Sequence, residues 1–114
     1  HCDVAAAANL TIVVAPLIRS RIPTVVRHVT TRVTPGESID VLVTDLGIAV
    51  NPARPEVKER LTAAGLPVVD IEALYQTSLV ISGEPKPIEF TSRIVGVVRY
   101  RDGSVIDVVR QVKE

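Results

Sequence analysis

Residues 39–65 read IDVLVTDLGIAVNPARPEVKERLTAAG, and the order of signals in that stretch decides the fold. Ile39 to Asp45 is a short apolar run that ends in Thr44-Asp45, the pattern of a buried strand. Gly47 supplies a corner, and Leu46 to Val50 makes a second strand before Asn51-Pro52 turns the chain out. A helix follows at once. Pro55 stands at its first position, where a missing N–H is harmless, Glu56 lies in its first turn, basic residues come later and Gly65 sits just past its end.

Working outward, Leu66 to Asp70 (LPVVD) predicts a short strand, and Asp70 is an N-cap for a helix Ile71–Ser82 that Gly83 closes. Glu84 to Pro87 is a loop. Residues 93–112, RIVGVVRYRDGSVIDVVRQV, are two β-rich arms joined at Asp102-Gly103, a strong hairpin signal. Upstream, Leu10 to Pro16 (LTIVVAP) predicts a buried strand approached through the alanines, which suit a helical turn. Thr24 to Gly36 (TVVRHVTTRVTPG) is β-branched enough for an extended strand or hairpin with one wet face. The expected fold is one α/β domain over residues 1–114: a mixed, partly parallel sheet with flanking helices and a C-terminal β-hairpin.

Composition supports a sheet covered on both faces, since 21 Val and 10 Ile stand against one Phe and no Trp among 114 residues. Thirteen basic and thirteen acidic side chains cancel, which removes the field that draws in nucleic acid, and 3% aromatics remove its stacking platforms. Val4 to Ile18 is the most apolar stretch, but it is broken by Asn9, Thr11 and Pro16 and falls short of the roughly 20 residues that span a bilayer. No basic region precedes it as in an export signal. The single Cys2 forms no internal disulfide and suits the cytoplasm. There is no methionine, and the chain reads as a piece of something longer.

No self-contained catalytic or metal-binding signature is present. Three weaker constellations remain. His1-Cys2-Asp3 could be an activated thiol or part of a metal site, or simply three polar residues in a loop. The corner VTDLGIAVNP (43–52) could place ligand-facing atoms at the sheet's edge, or be an ordinary strand-turn-strand in which glycine relieves strain. Arg19, Arg21, Arg27 and Arg32 could hold a tricarboxylate or phosphate through bidentate contacts, or be solvated. His28, alone in its stretch, reads as a surface residue.

Residues 1–26 (HCDVAAAANLTIVVAPLIRSRIPTVV), 33–61 (VTPGESIDVLVTDLGIAVNPARPEVKERL) and 87–114 (PIEFTSRIVGVVRYRDGSVIDVVRQVKE) closely resemble the C-terminal part of the citrate lyase alpha subunit family, the citrate CoA-transferase component. Residues 20–49 also resemble the wider coenzyme A transferase pattern, in which V-T-E-x-G-[IV]-A follows V-T-T-P. Asp45 stands where that pattern has glutamate. The resemblance implies part of a coenzyme A transferase-like domain, with a glycine loop ahead of His1 and the polar triplet as its tail. It implies exchange of acetate for citrate on the thioester of an acyl carrier (gamma) subunit, a citryl thioester that a beta subunit cleaves, and a homo- and hetero-oligomer. The coenzyme A-like thioester is substrate, and no cofactor or metal is expected to be tightly bound. By position the resemblance points to His1 and Asp3 beside the thioester, Gly47, Ile48 and Ala49 along the pantetheine channel, and Asp45 supporting that turn. The catalytic nucleophile or base is expected outside this chain, and the fragment alone is expected to be inactive. The competing reading is a non-catalytic small-ligand-binding or assembly module.

Overall fold

The computed structural model describes residues 1–114. Helix α1 (Cys2–Ala7) leads into strand β1 (Ile12–Val14), followed by two-residue strands β2 (Ile18–Arg19) and β3 (Ile22–Pro23). After an irregular segment and one 3-10 turn at Gly36–Ser38 come β4 (Val41–Thr44), β5 (Gly47–Val50), helices α2 (Pro55–Ala63) and α3 (Ile71–Ser82), and strands β6 (Phe90–Arg99) and β7 (Val105–Val112). No helix is long and apolar enough to cross a membrane.

Strand β4 is the centre of a three-stranded sheet ordered β1-β4-β5. It runs parallel to β1, with Ile12 opposite Val41 and Val14 opposite Val43. It runs antiparallel to β5, with Val41 opposite Val50 and Thr44 opposite Gly47. The sheet is therefore mixed and partly parallel, as the apolar runs and the glycine corner imply. Both helices fall where their punctuation puts them, with Pro55 opening α2 and Gly65 (φ +78°) and Gly83 (φ +72°) in left-handed backbone beyond α2 and α3. The C-terminal hairpin forms about the Asp102 turn, where the Asp102 carboxylate accepts the Ser104 N–H at 2.8 Å.

Several expectations need correction. The polar triplet is not a loop: His1 is the N-cap of α1, and Cys2 and Asp3 form its first turn, because the alanine run favours helix and an acid is favourable there. Thr24 to Gly36 forms no strand, since no neighbouring ladder meets it and its polar groups bond sideways, as in Arg32 N–H to Asp107 at 2.8 Å. The strand at Leu66–Asp70 shrinks to one parallel bridge between Ile48 and Val68, where the Pro67 carbonyl accepts the Ile48 N–H but Pro67 has no N–H to give. Asp70 is the N-cap of α3, as expected, although its carboxylate makes no bond to the helix and stands 3.8 Å from the Lys58 Nζ.

The core is small. Leu17, Val25, Ala49 and Leu74 form it, with Ile18, Leu42, Val69 and Tyr75 packed around. Only 11 of 114 residues are buried, and β1, expected as a buried strand, exposes all three of its residues, with Val14 at 76%. The accessible surface is 8349 Å², whereas a compact monomer of this mass exposes roughly 6,100 Å². The radius of gyration is 16.0 Å, and the molecule is a slab 49 × 38 × 19 Å, against roughly 13 Å for a compact chain of this length. Strand β1 and the C-terminal hairpin therefore lie largely uncovered within this chain, whereas β4 and β5 are buried or half-buried.

Candidate functional site

The central sheet has two polar ends, and each holds part of what the sequence singles out. At the C-terminal end of β1 and β4, the Asp45 Oδ1 accepts the Leu17 N–H at 2.9 Å, so the β4–β5 turn holds the chain leaving β1. The Thr44 hydroxyl closes the turn by donating to the Gly47 carbonyl at 2.7 Å. Gly47 has φ +153°, and a Cβ there would lie 2.9 Å from Val69 Cγ2 and 3.2 Å from Leu74 Cδ2. The glycine thus admits α3 and the strand-like stretch before it. Ile48 is buried and bonded to that stretch, its N–H to the Pro67 carbonyl at 3.0 Å and its carbonyl to the Val69 N–H at 2.8 Å. Ala49 is in the core and also on the wall of a mostly apolar cleft of about 510 Å³, together with Ile39, Leu42, Asn51 and Ile71.

Immediately beyond β1, strands β2 and β3 make a hairpin with Arg19 opposite Ile22 and only Ser20 and Arg21 between them. Both have positive φ, +53° and +83°, which defines a type I′ turn. Asn-Gly is the usual occupant, and a non-glycine residue in this conformation costs about 1 to 2 kcal/mol. The backbone is anchored behind the turn by the Thr24 N–H to the Leu17 carbonyl at 2.8 Å and by the Thr24 hydroxyl, which donates to the Pro16 carbonyl.

At the other end of the sheet, Asp40 is 7% exposed. Its Oδ2 accepts the Thr11 N–H at 2.7 Å and its Oδ1 accepts from Arg54 Nη1 at 3.0 Å. The same Nη1 donates to the Asn9 carbonyl at 3.1 Å, and Arg54 Nε reaches Glu56 Oε1 at 2.6 Å. That short contact raises the guanidinium above its ordinary value and lowers the Glu56 carboxyl. Asn51 completes the junction, its amide donating to the Ile39 carbonyl at 2.9 Å. One buried carboxylate thus ties β1, β4 and the start of α2 together. Sequence reasoning missed Asp40 and Arg54. The signals were a carboxylate directly before a buried strand, which needs a partner, and an arginine where a helix usually has a Ser or Asp cap.

His1 and Asp3 belong to this second end, since α1 lies beside the 3-10 turn that precedes β4. His1 is on the rim of a cleft of about 530 Å³ with Val4, Leu10, Ile12, Val13 and Thr34. Asp3 is exposed and Cys2 is a half-buried free thiol. No three His, Cys, Asp or Glu side chains converge as metal ligands. Strand β4 with its four residues spans about 13 Å, so His1 and Asp3 stand a strand's length from Asp45 and Gly47, and the two sets do not meet within this chain.

The four arginines of the third constellation separate. Arg27 forms a two-pronged pair with Glu72, at 3.0 and 3.2 Å, and stacks 4.5 Å over the Tyr75 ring. Arg32 is turned to the C-terminal hairpin, donating to the Ile106 carbonyl at 3.4 Å. Arg19 and Arg21 are exposed at the strained turn.

Fold and site together define a piece of a mixed α/β sheet, with polar turns gathered at the carboxyl ends of its two parallel strands, the edge at which open α/β sheets take ligands. The family model described as citrate lyase, alpha subunit (CitF) matches residues 1–112. The chain belongs to the citrate lyase alpha subunit family. It is 66% identical over 114 residues to the citrate lyase alpha chain of Escherichia coli (strain K12) and 64% identical over 113 residues to that of Klebsiella pneumoniae. These alignments take in 100% and 99% of this chain and 22% of each relative, so the chain spans about a fifth of their length. A crystal structure of a citrate lyase alpha subunit from Streptococcus mutans in complex with citrate is 49% identical, with a TM-score of 0.96 over all of this chain and 22% of that one.

Proposed function

We propose that this chain is a portion of a citrate lyase alpha subunit and contributes one wall of a citrate CoA-transferase site. What supports the reading is its agreement along its whole length, at 49% identity and a TM-score of 0.96, with a subunit that binds citrate. In the proposed reaction a citrate carboxylate attacks the acetyl thioester carbonyl, giving a mixed anhydride and a thiolate. The thiolate then attacks the citryl carbonyl of the anhydride, forming the citryl thioester and releasing acetate. The acyl carrier subunit brings the coenzyme A-like thioester, and a beta subunit cleaves the product. Such a site must stabilise an oxyanion with fixed donors, each worth on the order of 3 kcal/mol.

In this reading Asp45 and Gly47 shape the edge that faces the thioester, with Ile48 and Ala49 behind them. His1 and Asp3 reach the same site only through segments outside this chain, because β4 separates them from that edge. No carboxylate of this chain is assigned as nucleophile, and the slab by itself is inactive. The test is citrate-dependent exchange from acetyl-CoA by the full-length alpha chain carrying this sequence. Turnover reduced by Asp45→Ala, and by His1→Ala or Asp3→Asn, is the expected result. Turnover unchanged in all three removes these residues from the site, and no exchange in the unaltered chain overturns the reading itself.

A further inference from the structure

We infer that the Ser20-Arg21 turn is an anion-recognition finger, in which Arg19 and Arg21 grip the carboxylate or phosphate oxygens of a ligand at the carboxyl edge of the sheet. The inference rests on the reading above and deepens it by assigning the charged group of a substrate to two named side chains. The first support is place. The β2–β3 hairpin leaves the carboxyl end of β1 and is held to the Asp45 turn, at the carboxyl end of β4, by the Leu17 N–H to Asp45 bond at 2.9 Å. Two parallel strands therefore deliver the hairpin and the Asp45 corner to the same edge.

The second support is the disposal of charge. Arg27 is paired to Glu72, Arg54 to Asp40 and Glu56, and Arg32 is bonded to the C-terminal hairpin. Arg19 and Arg21 are exposed and stand in none of the chain's ion pairs or side-chain hydrogen bonds. Their guanidinium forks suit the planar, paired oxygens of carboxylates and phosphates. The third support is strain. Ser20 and Arg21 occupy left-handed backbone at +53° and +83°, where Asn-Gly would sit at ease. A side chain that keeps a turn strained is explained when that side chain binds something, and strained positions concentrate at ligand clamps.

The test uses the full-length alpha chain carrying Arg21→Gly, Arg19→Gln, or Arg19→Gln with Arg21→Gln. Arg21→Gly is expected to raise Tm, because the turn relaxes, while raising the KM for one substrate by about tenfold to a hundredfold with kcat little changed, the loss of one charged two-pronged contact. Arg21→Lys, which keeps the charge and loses the fork, is expected to fall between. A raised KM for citrate identifies the gripped group as carboxylate, and a raised KM for acetyl-CoA with citrate unaffected identifies it as phosphate. A raised Tm with both KM values unchanged, or a double variant with both unchanged, overturns the inference. If the unaltered chain performs no exchange, the function proposed above fails, and the finger is judged by binding instead. Thermal shifts produced by citrate or coenzyme A and lost in the double variant then sustain it, and shifts absent from the unaltered chain or kept in the variant refute it.

Discussion

Asp40 is the buried carboxylate that holds one end of the sheet, its two oxygens serving the Thr11 N–H and the Arg54 guanidinium while its own residue is all but buried. Asp40→Ala leaves the Thr11 N–H without its acceptor and Arg54 with only Glu56 and the Asn9 carbonyl, at a cost of about 1 to 3 kcal/mol. Denaturant unfolding should show that loss, with the Asp40→Asn variant retaining part of it; a midpoint unmoved in both variants would show that the junction carries no stability. Asp45 was legible in the sequence because a polar residue follows an apolar run beside glycine. Asp40 was not, because its partners lie 29 residues back and 14 residues on, and a lone carboxylate before a strand looks like any turn residue. The strain at Ser20-Arg21 was equally hidden, as nothing in RSRI announces a type I′ turn that lacks both asparagine and glycine.

Among elements, the β4–corner–β5–α2 unit was readable because punctuation and periodicity agree there. Proline opens α2, glycine follows both α2 and α3, and β4 and β5 are short apolar runs about Gly47. The segment from Thr24 to Gly36 misled, because β-branched residues make strands only where a ladder awaits them, and here Arg27 and Arg32 are claimed by α3 and by β7. Gly47 is where β5 meets α3, and Gly47→Ala would press a methyl into Val69 and Leu74 at a backbone angle that side chains seldom adopt. A loss of about 2 to 3 kcal/mol is expected in the same unfolding experiment, and a neutral result would show that α3 shifts freely on the sheet.

The links between elements also set a pH response. Glu72 is lowered by the Gln76 amide and the Arg27 guanidinium, and Asp107 by the backbone N–H groups of Arg32 and Val108. A carboxyl held low in the folded state stabilises fully above its unfolded value, about 4, and loses that contribution as pH falls through the lower folded value. Tm should therefore fall on acidification below that value, less steeply in a Glu72→Gln, Asp107→Asn double variant. Parallel falls in the two proteins would mean that these pairs do not couple to folding.

At the scale of the whole molecule, the composition describes strands that the chain covers only in part, β4 and β5 being packed and β1 and the hairpin open. Twenty-one valines and ten isoleucines describe buried strands, yet Val14 of β1 is 76% exposed and Val97 and Val105 of the hairpin 53% and 55%. Strand β1 pairs on one side only and offers its other edge open. The 114 residues alone should therefore self-associate, seen as scattering that rises with concentration, and Val14→Lys on the open edge should reduce it. A monodisperse monomer at high concentration would show that the exposed apolar surface is tolerated.

The most direct measurement compares citrate-dependent exchange from acetyl-CoA by the full-length alpha chain with that by these 114 residues. Exchange by the longer chain and none by the shorter is the result expected of a slab that supplies one wall of a shared site. Exchange at a comparable rate by the 114 residues alone would contradict it.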